Sequence, residues 1–324
     1  MKRVGVVGAR GHTGAELIRL IDRHPELTLA FAGSRRHAGT PVAEVVEGLS
    51  EASTLEFEAI VADSVARRVA DTETDAVVLA LPNGAAPPFV AALPASVVIV
   101  DLSADHRFDE GWRYGLVERA RRRLWGARRI ANPGCYATGA QLALGPLVDD
   151  GAVDGAPRIF GVSGFSGAGT SPSPRNDPER LRDNLIPYAL VGHVHEREIT
   201  RHLHPVHFCP HVAPHFRGIS LTIDVTLRPD VAPEPEALVA TYRARYADEP
   251  LVEVVAEAPE VRDIQGRHAV HLGGFAVQGQ RVVIVATIDN LLKGAATQAV
   301  QNLNLGLELE DVWSGIPVGD TSSL

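Results

Sequence analysis

The feature that most constrains the fold lies at the N-terminus, where an apolar strand, a glycine-rich turn and an amphipathic helix follow one another. RVGVVG (3–8) is a short apolar run that ends at a glycine, and AELIRLIDRH (15–24) carries Leu and Ile at helical spacing. LTLAFAG (27–33) has the pattern of a second strand. The segment therefore predicts a βαβ unit, which belongs to a parallel sheet covered by helices on both faces.

Further strands indicate two domains. DAVVLALP (75–82) and VVIVDLS (97–103) are near-continuous apolar runs typical of buried parallel strands, whereas GISLTIDVTL (218–227) and RVVIVATIDN (281–290) alternate. A chain of 324 residues is also long for one core. We expect an α/β Rossmann domain with a mostly parallel sheet, followed by an α+β domain with a mixed sheet.

The domain boundary is predicted beside Cys135, where the pattern of the sequence changes. KGAATQAVQNLNLGLEL (293–309) is a helix with an apolar stripe, which we expect to pack back on the first domain. The first domain then comprises residues 1–134 and 294–324, and the second comprises residues 135–293.

Composition excludes several classes of function. The net charge of −9 argues against a nucleic-acid partner, because phosphate binding needs a basic surface. No uncharged run is long enough to span a membrane, and glycines interrupt the N-terminal apolar run too early for a signal peptide. The two cysteines, Cys135 and Cys209, are far apart, as expected of single thiols in a reducing compartment. We expect a cytoplasmic protein without a membrane or nucleic-acid partner.

The N-terminal turn predicts a dinucleotide site. Gly8, Gly11 and Gly14 follow a strand and open a helix, where glycines let a pyrophosphate approach the helix N-terminus. The spacing is G-x-x-G-x-x-G rather than G-x-G-x-x-G, and a plain tight turn is the alternative interpretation.

The second βα turn favours NADP over NAD. Where an NAD enzyme offers an acidic residue to the ribose, this chain has Ser34, Arg35 and Arg36. Two guanidinium groups beside a hydroxyl suit a 2′-phosphate. The alternative is a pair of exposed arginines.

Cys135 is the candidate nucleophile. It follows ANPG (131–134) and precedes YATGAQLAL (136–144), which places its sulfur at the amino end of a predicted helix. A helix N-terminus lowers the pKa of a thiol and so favours the reactive thiolate. Cys209, within HFCPHV (207–212), is interpreted as a packed strand residue.

The thiol needs a base, and histidines are concentrated C-terminal to it. GHVHEREI (192–199) holds His193 and His195, with Glu198 on the same predicted helix to orient a histidine. A zinc hydrolase is an alternative, but the H-E-x-x-H pattern that begins at His195 has Ile199 where the second histidine belongs. A proton-transfer histidine beside a thiol is therefore favoured over a metal site.

Together these segments resemble the N-acetyl-gamma-glutamyl-phosphate reductases of arginine biosynthesis, relatives of aspartate-semialdehyde dehydrogenase. The matching motifs run along nearly the whole chain: GARGHTGAELIRL, LALPNGAA, DLSADHRF, NPGCYAT, SGFSGAG, GHVHEREI, PHVAPHFRGI and IDNLLKGAATQAVQNLN. The histidine motif departs from the family's H-R-H-T-P-E-I, and the preceding loop TSPSPRNDPERLRDNLIPYAL (170–190) is distinctive.

The resemblance implies a role for each matching residue. It makes Cys135 the nucleophile and His195 the acid/base, with His193 and Glu198 as possible support. The cofactor-binding residues that it implies, together with those of the two βα turns, are Gly8, Gly11, His12, Thr13, Gly14, Ser34, Arg35, Arg36, Pro82 and Asn290. The substrate-binding residues that it implies are Arg107, Ser166, Gly167 and Arg217. No metal is implied.

The reaction implied is NADPH-dependent reductive dephosphorylation of N-acetyl-L-glutamyl 5-phosphate to the 5-semialdehyde, through a thioester on Cys135. The first domain would bind NADP(H), and the second would supply catalysis, substrate binding and the contacts of a homodimer or homotetramer. A second hypothesis is an enzyme that acts on a carrier-bound aminoadipyl phosphate in lysine biosynthesis. A non-catalytic NADP-sensing regulator and, less favoured, the zinc hydrolase are two further hypotheses.

Overall fold

The computed structural model describes residues 1–50 and 54–319, and its contacts divide the chain into two compact units. Of the described residues, unit 1 comprises Met1–Gly134 and Ala295–Pro317, and unit 2 comprises Cys135–Gly294 with Val318 and Gly319. Among the described residues, no helix has the length and apolar character needed to cross a membrane.

Unit 1 contains a sheet of seven strands in which every hydrogen-bonded pair is parallel. Its strands are β1 (Lys2–Val7), β2 (Leu27–Gly33), β3 (Phe57–Glu58), β4 (Ala76–Leu79), β5 (Val98–Asp101), β6 (Arg113–Tyr114) and β7 (Arg129–Ala131). The helices between them are α1 (His12–Asp22), α2 (Val42–Val45), α3 (Ala62–Asp71), α4 (Pro87–Ala92) and α5 (Val117–Leu124). The strand order is β3-β2-β1-β4-β5-β7-β6.

The buried centre of this sheet follows from the sequence pattern. All four residues of β4 and all four of β5 are buried, as expected of strands covered on both faces. The order of the strands reverses direction between β1 and β4. In open parallel sheets ligands bind outside the carboxyl ends of the strands at such a reversal, and the glycine turn follows β1 there.

Unit 2 contains a second sheet of seven strands, which is mixed. Its helices are α6 (Cys135–Asp149), α7 (Pro178–Leu181), α8 (Val194–His202), α9 (Pro235–Arg245) and α10 (Val261–Ile264), with a 3₁₀ turn at Phe165–Ala168. Its strands are β8 (Val153–Gly164), β9 (Ile186–Pro187), β10 (His207–Ala213), β11 (Ile219–Leu227), β12 (Val252–Val254), β13 (Val270–Gln278) and β14 (Arg281–Ile288). The strand order is β12-β13-β14-β11-β8-β10-β9, with β8/β10 and β12/β13 parallel and the other pairs antiparallel.

Helix α6 is the buried helix of unit 2. Every residue from Tyr136 to Leu147 is buried, so this helix is buried on all sides rather than on one stripe. It packs against β11 and β14, and a Cβ at Gly139 would lie 2.8 Å from Leu221 Cδ1. The glycine therefore lets the helix approach the sheet closely, which fixes where the first residue of α6 lies.

The predicted fold class is confirmed, and several details differ from the sequence prediction. Cys209 lies on strand β10 but is exposed rather than packed, because side chains along this strand alternate between exposed and buried positions. The predicted final helix begins with a π-helical turn, Leu292–Ala296, and continues as α11 (Thr297–Gly306). Strand β13 was not predicted, because Gly273 and Gly274 interrupt its alternation. A Cβ at Gly273 would lie 2.3 Å from Glu257 O, and Gly274 has a φ of 62°, so both positions require glycine.

Candidate active site

In the glycine turn after β1, two of the three glycines lie against backbone that leaves no room for a side chain. Gly8 has a φ of 84°, and a Cβ there would lie 2.2 Å from Ala80 O. At Gly14 a Cβ would lie 2.6 Å from Ala9 O, whereas at Gly11, which precedes the first residue of α1, the nearest atom would be 3.6 Å away. The turn thus brings bare backbone to the N-terminus of an 11-residue helix, and this arrangement fits the pyrophosphate of a dinucleotide.

The remaining predicted cofactor residues of unit 1 lie around this turn and after β2. His12 and Thr13 form the first turn of α1 and are partly buried. Ser34 is buried directly after β2, and Arg35 and Arg36 are exposed beside it. Within the described residues neither guanidinium forms a hydrogen bond or an ion pair, so both are available to a phosphate.

The loops after β4 and β5 hold each other in place. The Asp105 carboxylate accepts hydrogen bonds from Gly84 N at 2.6 Å and Ala86 N at 3.1 Å. Pro82, in the same loop after β4, is exposed. The sequence did not assign a role to Asp105, which orders a loop at the carboxyl edge of the sheet.

A buried carboxylate organises the segment DLSADHRF at the end of β5. Asp101 is fully buried and accepts the Ser103 hydroxyl at 2.8 Å, and its Oδ2 lies 2.7 Å from His106 Nδ1. The His106 ring stacks on Trp112 at 4.0 Å. These contacts fix the backbone that presents the next residue, Arg107.

Arg107, a predicted substrate-binding residue, is buried and oriented by backbone carbonyls. Its Nε donates to Asn132 O at 2.9 Å, and one terminal nitrogen donates to Leu102 O at 2.8 Å. Two carbonyl acceptors hold the plane of the guanidinium in one orientation.

Cys135 is the first residue of α6 and is partly exposed. A Cβ at Gly294 would lie 2.7 Å from the Cys135 Cβ, so glycine at 294 is required for the chain to pass this cysteine. The first turn of a helix presents free backbone N–H groups, which favour a thiolate and can stabilise a developing oxyanion.

Tyr136 brings the predicted histidines to the start of α6. Its ring lies 5.5 Å from the His195 ring and 6.2 Å from the His193 ring, and its hydroxyl donates to His211 O at 3.0 Å. Burial raises the pKa of Tyr136 well above its ordinary value. The structure therefore gathers the residue after Cys135 and both candidate histidines into one cluster, in which sequence reasoning had assigned no role to this tyrosine.

His193 and His195 play different structural parts. His193 caps the N-terminus of α8, and its Nδ1 accepts a hydrogen bond from His195 N at 3.1 Å. Its pKa is lowered to about 4, mainly by burial and further by the nearby Arg175, against the opposing effect of Glu196. His193 is therefore neutral near pH 7. Glu198 lies one turn along α8 and is fully buried.

Arg217, a predicted substrate residue, is held by a buried carboxylate. Asp289 is fully buried, and its Oδ2 lies 2.6 Å from Arg217 Nε, while Oδ1 accepts from the terminal guanidinium nitrogen at 3.1 Å. Asp289 also accepts hydrogen bonds from Gly266 N and Leu291 N. Sequence reasoning missed Asp289, although it directly precedes Asn290 in the IDN motif.

Asn290, a predicted cofactor residue, connects two loops of unit 2. Its Oδ1 accepts from Gly218 N at 2.8 Å, and its Nδ2 donates to the Ser166 hydroxyl at 2.9 Å. Ser166 and Gly167 lie in the 3₁₀ turn after β8, and Ser166 is buried. The predicted substrate loop is thus tied to the loop that carries Arg217.

No group of three or more His, Cys, Asp or Glu side chains is arranged to hold a metal ion within residues 1–50 and 54–319.

Comparison with known proteins identifies both halves of the chain. Residues 3–127 match the semialdehyde dehydrogenase NAD binding domain, and residues 135–290 match the semialdehyde dehydrogenase dimerisation domain. Among solved structures, aspartate semialdehyde dehydrogenase II from Vibrio cholerae aligns with a TM-score of 0.76 at 18% identity, covering 96% of this chain and 100% of that one. Aspartate semialdehyde dehydrogenase with NADP from Candida albicans aligns with a TM-score of 0.70 at 17% identity, covering 94% and 100%. At these identities the structural likeness establishes the fold.

Closer relatives are found by sequence. N-acetyl-gamma-glutamyl-phosphate reductase of Xanthomonas campestris pv. campestris (strain B100) is 55% identical over 95% of this chain and 96% of its own length. The protein of the same name from Stenotrophomonas maltophilia (strain R551-3) is 54% identical over 96% of this chain and 97% of its own. The resemblance inferred from the motifs is confirmed, and the chain belongs to the N-acetyl-gamma-glutamyl-phosphate reductases, a family built from the two semialdehyde dehydrogenase domains.

Proposed function

We propose that this protein reduces N-acetyl-L-glutamyl 5-phosphate to N-acetyl-L-glutamate 5-semialdehyde with NADPH, through a thioester on Cys135, as a step of arginine biosynthesis in the cytoplasm. The observation that carries the proposal is the cluster at the start of α6, where two histidine rings lie against Tyr136, the residue that follows the partly exposed Cys135. This cluster occurs in a chain whose relatives of more than 50% identity carry the corresponding name.

Cys135 begins the reaction. Its thiolate attacks the acyl carbon, a C–S bond forms, the bond from that carbon to the phosphate oxygen breaks, and inorganic phosphate leaves. The backbone N–H groups at the start of α6 donate to the oxygen on which negative charge develops. Phosphate is a good leaving group, so this step needs no strong acid.

The nicotinamide cofactor, when bound, supplies the hydride that reduces the acyl carbon. For its phosphates the chain offers the glycine turn, with Gly8, Gly11, His12, Thr13 and Gly14. For the 2′-phosphate of NADP it offers Ser34, Arg35 and Arg36, and Pro82 and Asn290 complete the proposed set. We assign cofactor binding to residues 1–134 and 294–324, and catalysis and oligomerisation to residues 135–293.

His195 moves the proton. It donates a proton to the oxygen of the reduced carbon and then removes it, so that the C–S bond breaks, the aldehyde forms and Cys135 is released as the thiolate. His193 is unsuited to this role, because its Nδ1 is engaged as a helix cap and its pKa of about 4 keeps it neutral. Glu198, buried on α8, is the proposed support for His195.

Substrate binding is assigned to Arg107 and Arg217, with Ser166 and Gly167 in the turn that adjoins Arg217. We further propose that unit 2 forms a homodimer or homotetramer, since it matches a dimerisation domain. Light scattering of the purified protein should then give a molar mass of two or four chains.

The function is tested by the reverse reaction, in which N-acetyl-L-glutamate 5-semialdehyde, phosphate and NADP⁺ are mixed with purified protein. We expect NADPH to form only when phosphate is present. A parallel assay with the carrier-bound aminoadipate semialdehyde should give no NADPH, and the opposite preference would favour the lysine-pathway hypothesis.

A matched variant makes the thiol part of this test specific. The chain has two cysteines, and Cys209 is exposed, so alkylation of the native protein would modify both. The Cys209→Ser variant should retain full activity and lose it on modification of the one remaining thiol. Activity that survives complete alkylation of this variant would exclude Cys135 as the nucleophile.

A further inference from the structure

Arg175 lies at the edge of the thiol and histidine cluster, in the distinctive loop before α8. Its guanidinium carbon is 4.8 Å from the centre of the Tyr188 ring. The Tyr188 ring is in turn 5.5 Å from the His193 ring, and its hydroxyl interacts with that of Tyr136. Arg175 is near enough to His193 to contribute to the lowering of its pKa. One exposed loop thus places a cation beside Tyr188 and His193, at the edge of the cluster.

The loop that carries Arg175 is ordered by its own side chains. The Asn176 side chain accepts a hydrogen bond from Ser173 N at 2.7 Å and donates to Gly169 O and Ser171 O at 2.9 and 2.8 Å. These three bonds close the loop immediately beside Arg175. They reduce the conformational entropy that the segment would lose on holding a ligand.

Tyr188, the platform under the guanidinium, is also fixed. It packs against a small apolar cluster formed by Leu181, Ile186 and Val212. The guanidinium of Arg175 lies over the Tyr188 ring and interacts with its hydroxyl, and a guanidinium has enough N–H groups to bind a carboxylate through two further hydrogen bonds.

The charge of Arg175 is not compensated as the charges of neighbouring arginines are. Arg217 is paired with the buried Asp289, and Arg182 of the same loop pairs with Glu179 at 2.7 Å. In the described part of the chain, no carboxylate lies within ion-pair distance of Arg175. The nearby Glu196 accepts hydrogen bonds from the backbone N–H groups of Gly192 and Phe208 instead.

We propose that Arg175 binds the α-carboxylate of the acyl-phosphate substrate and so selects an amino-acid-derived acyl chain. The inference rests on the proposed function. The phosphate is attached to the carbon that Cys135 attacks, whereas the carboxylate is at the other end of the carbon chain. Arg175 contacts Tyr188, and Tyr188 is linked to Cys135 through Tyr136, the residue that follows the cysteine. We therefore match this cation to the charge at the far end of the carbon chain.

The test separates the two anionic groups by running the reaction in reverse, where aldehyde and phosphate each have their own KM. In Arg175→Ala we expect the KM for N-acetyl-L-glutamate 5-semialdehyde to rise roughly 10- to 100-fold, the loss expected for a charged hydrogen bond. The KM for phosphate should stay within about 2-fold. Arg175→Lys should lie between the native protein and Arg175→Ala, because Lys keeps the charge and loses the two-pronged contact.

An analogue without the carboxylate provides the decisive comparison. Native protein and Arg175→Ala should have the same KM for 4-acetamidobutanal, which is the substrate aldehyde with hydrogen in place of the carboxylate. The control variant is Arg182→Ala, which removes an exposed charge from the same loop and should change each KM by less than about 2-fold. Equal losses on both aldehydes, a raised KM for phosphate, or an unchanged KM for the carboxylated aldehyde would each overturn the assignment.

A binding measurement tests the role of Arg175 without relying on the proposed reaction. By calorimetry, N-acetyl-L-glutamate should bind the native protein more tightly than 4-acetamidobutyrate does, and Arg175→Ala should abolish that difference. If the native protein fails to turn over the semialdehyde, the proposed function is wrong, and the calorimetric difference still decides the role of Arg175. If turnover is normal and the difference persists in Arg175→Ala, only the assignment of Arg175 is wrong.

Discussion

The glycine turn of unit 1 and the thiol and histidine cluster of unit 2 are two sites built in opposite ways. The turn is one continuous stretch in which backbone does the binding, and Gly8 and Gly14 are required because a side chain would collide with backbone. The cluster joins three separate segments, the start of α6, the start of α8 and the loop around Tyr188, through contacts between side chains. Substitutions that add side-chain atoms should therefore disrupt the turn. Substitutions that change the functional groups should disrupt the cluster.

The largest effect is expected at the thiol. Cys135→Ala should lower turnover by about 10⁴-fold or more, because the proposed thioester forms on the sulfur that this substitution removes. The cluster should remain intact, since the residue is only partly buried and alanine keeps the helix start. Steady-state rates, with thermal unfolding as the folding control, test this. Residual turnover above about 1% of the native rate would contradict the assignment of Cys135 as the nucleophile.

Substitutions of the two histidines should have different effects on kcat. His195→Asn should lower kcat by roughly 10²- to 10⁴-fold, the range for loss of a general acid or base. His193→Asn should retain most activity, because asparagine also caps a helix N-terminus, whereas His193→Ala should lose more. Rates of the three variants across pH provide the measurement. If His193→Asn is the inactive one, the roles of the histidines are exchanged.

The arginines beside the glycine turn should decide which nicotinamide cofactor is used. Arg35→Ala with Arg36→Ala should weaken NADPH binding by roughly 10- to 100-fold and leave NADH within about 2-fold, because only NADPH carries the 2′-phosphate. Fluorescence titration with both cofactors measures this. Equal losses would show that the two exposed cations do not contact the 2′-phosphate.

Two glycines of the turn provide a steric test. Gly14→Ala should destabilise the protein by about 1–3 kcal/mol, since its Cβ would lie 2.6 Å from Ala9 O. Gly11→Ala is the matched control and should cost under about 1 kcal/mol, because the nearest atom to its Cβ would be 3.6 Å away and only a preferred capping residue is lost. Denaturant unfolding of both variants gives the comparison. Similar losses at the two positions would mean that backbone crowding does not explain the glycines.

The last prediction concerns how the free energy of unfolding depends on pH through His193. The pKa of His193 is about 4 in the folded protein and 6.5 ordinarily, so on acidification the unfolded chain takes up its proton first. The contribution of His193 to stability is complete above pH 6.5 and declines as the pH falls toward about 4. In His193→Asn this part of the decline should disappear, which thermal unfolding measured across that range would detect. An identical decline in the native protein and the variant would assign it to other groups.

How far the sequence predicts each region follows from how that region is built. The strand, turn and helix around Gly8 are consecutive, and the apolar periods of β4 and β5 identify a parallel sheet without any tertiary information. The residues on either side of Cys135 predict a helix start there, and α6 begins at that residue. Local steric rules and hydrophobic periods act between neighbours along the chain, and this is why they are visible in the sequence.

Only the tertiary structure shows which side chains from distant segments of the chain contact each other. The pairing of Asp289 with Arg217 joins residues from two loops, and the stacking of Arg175 on Tyr188 depends on how the 170–190 loop folds. Likewise, the Nδ1 bond that distinguishes His193 from His195 depends on the orientation of one ring. The sequence by itself determined the domain types, the cofactor turn and the position of the thiol, because backbone geometry and periodicity are local. It did not determine which charges are neutralised and which remain for a ligand, because that depends on distances between atoms far apart in the chain.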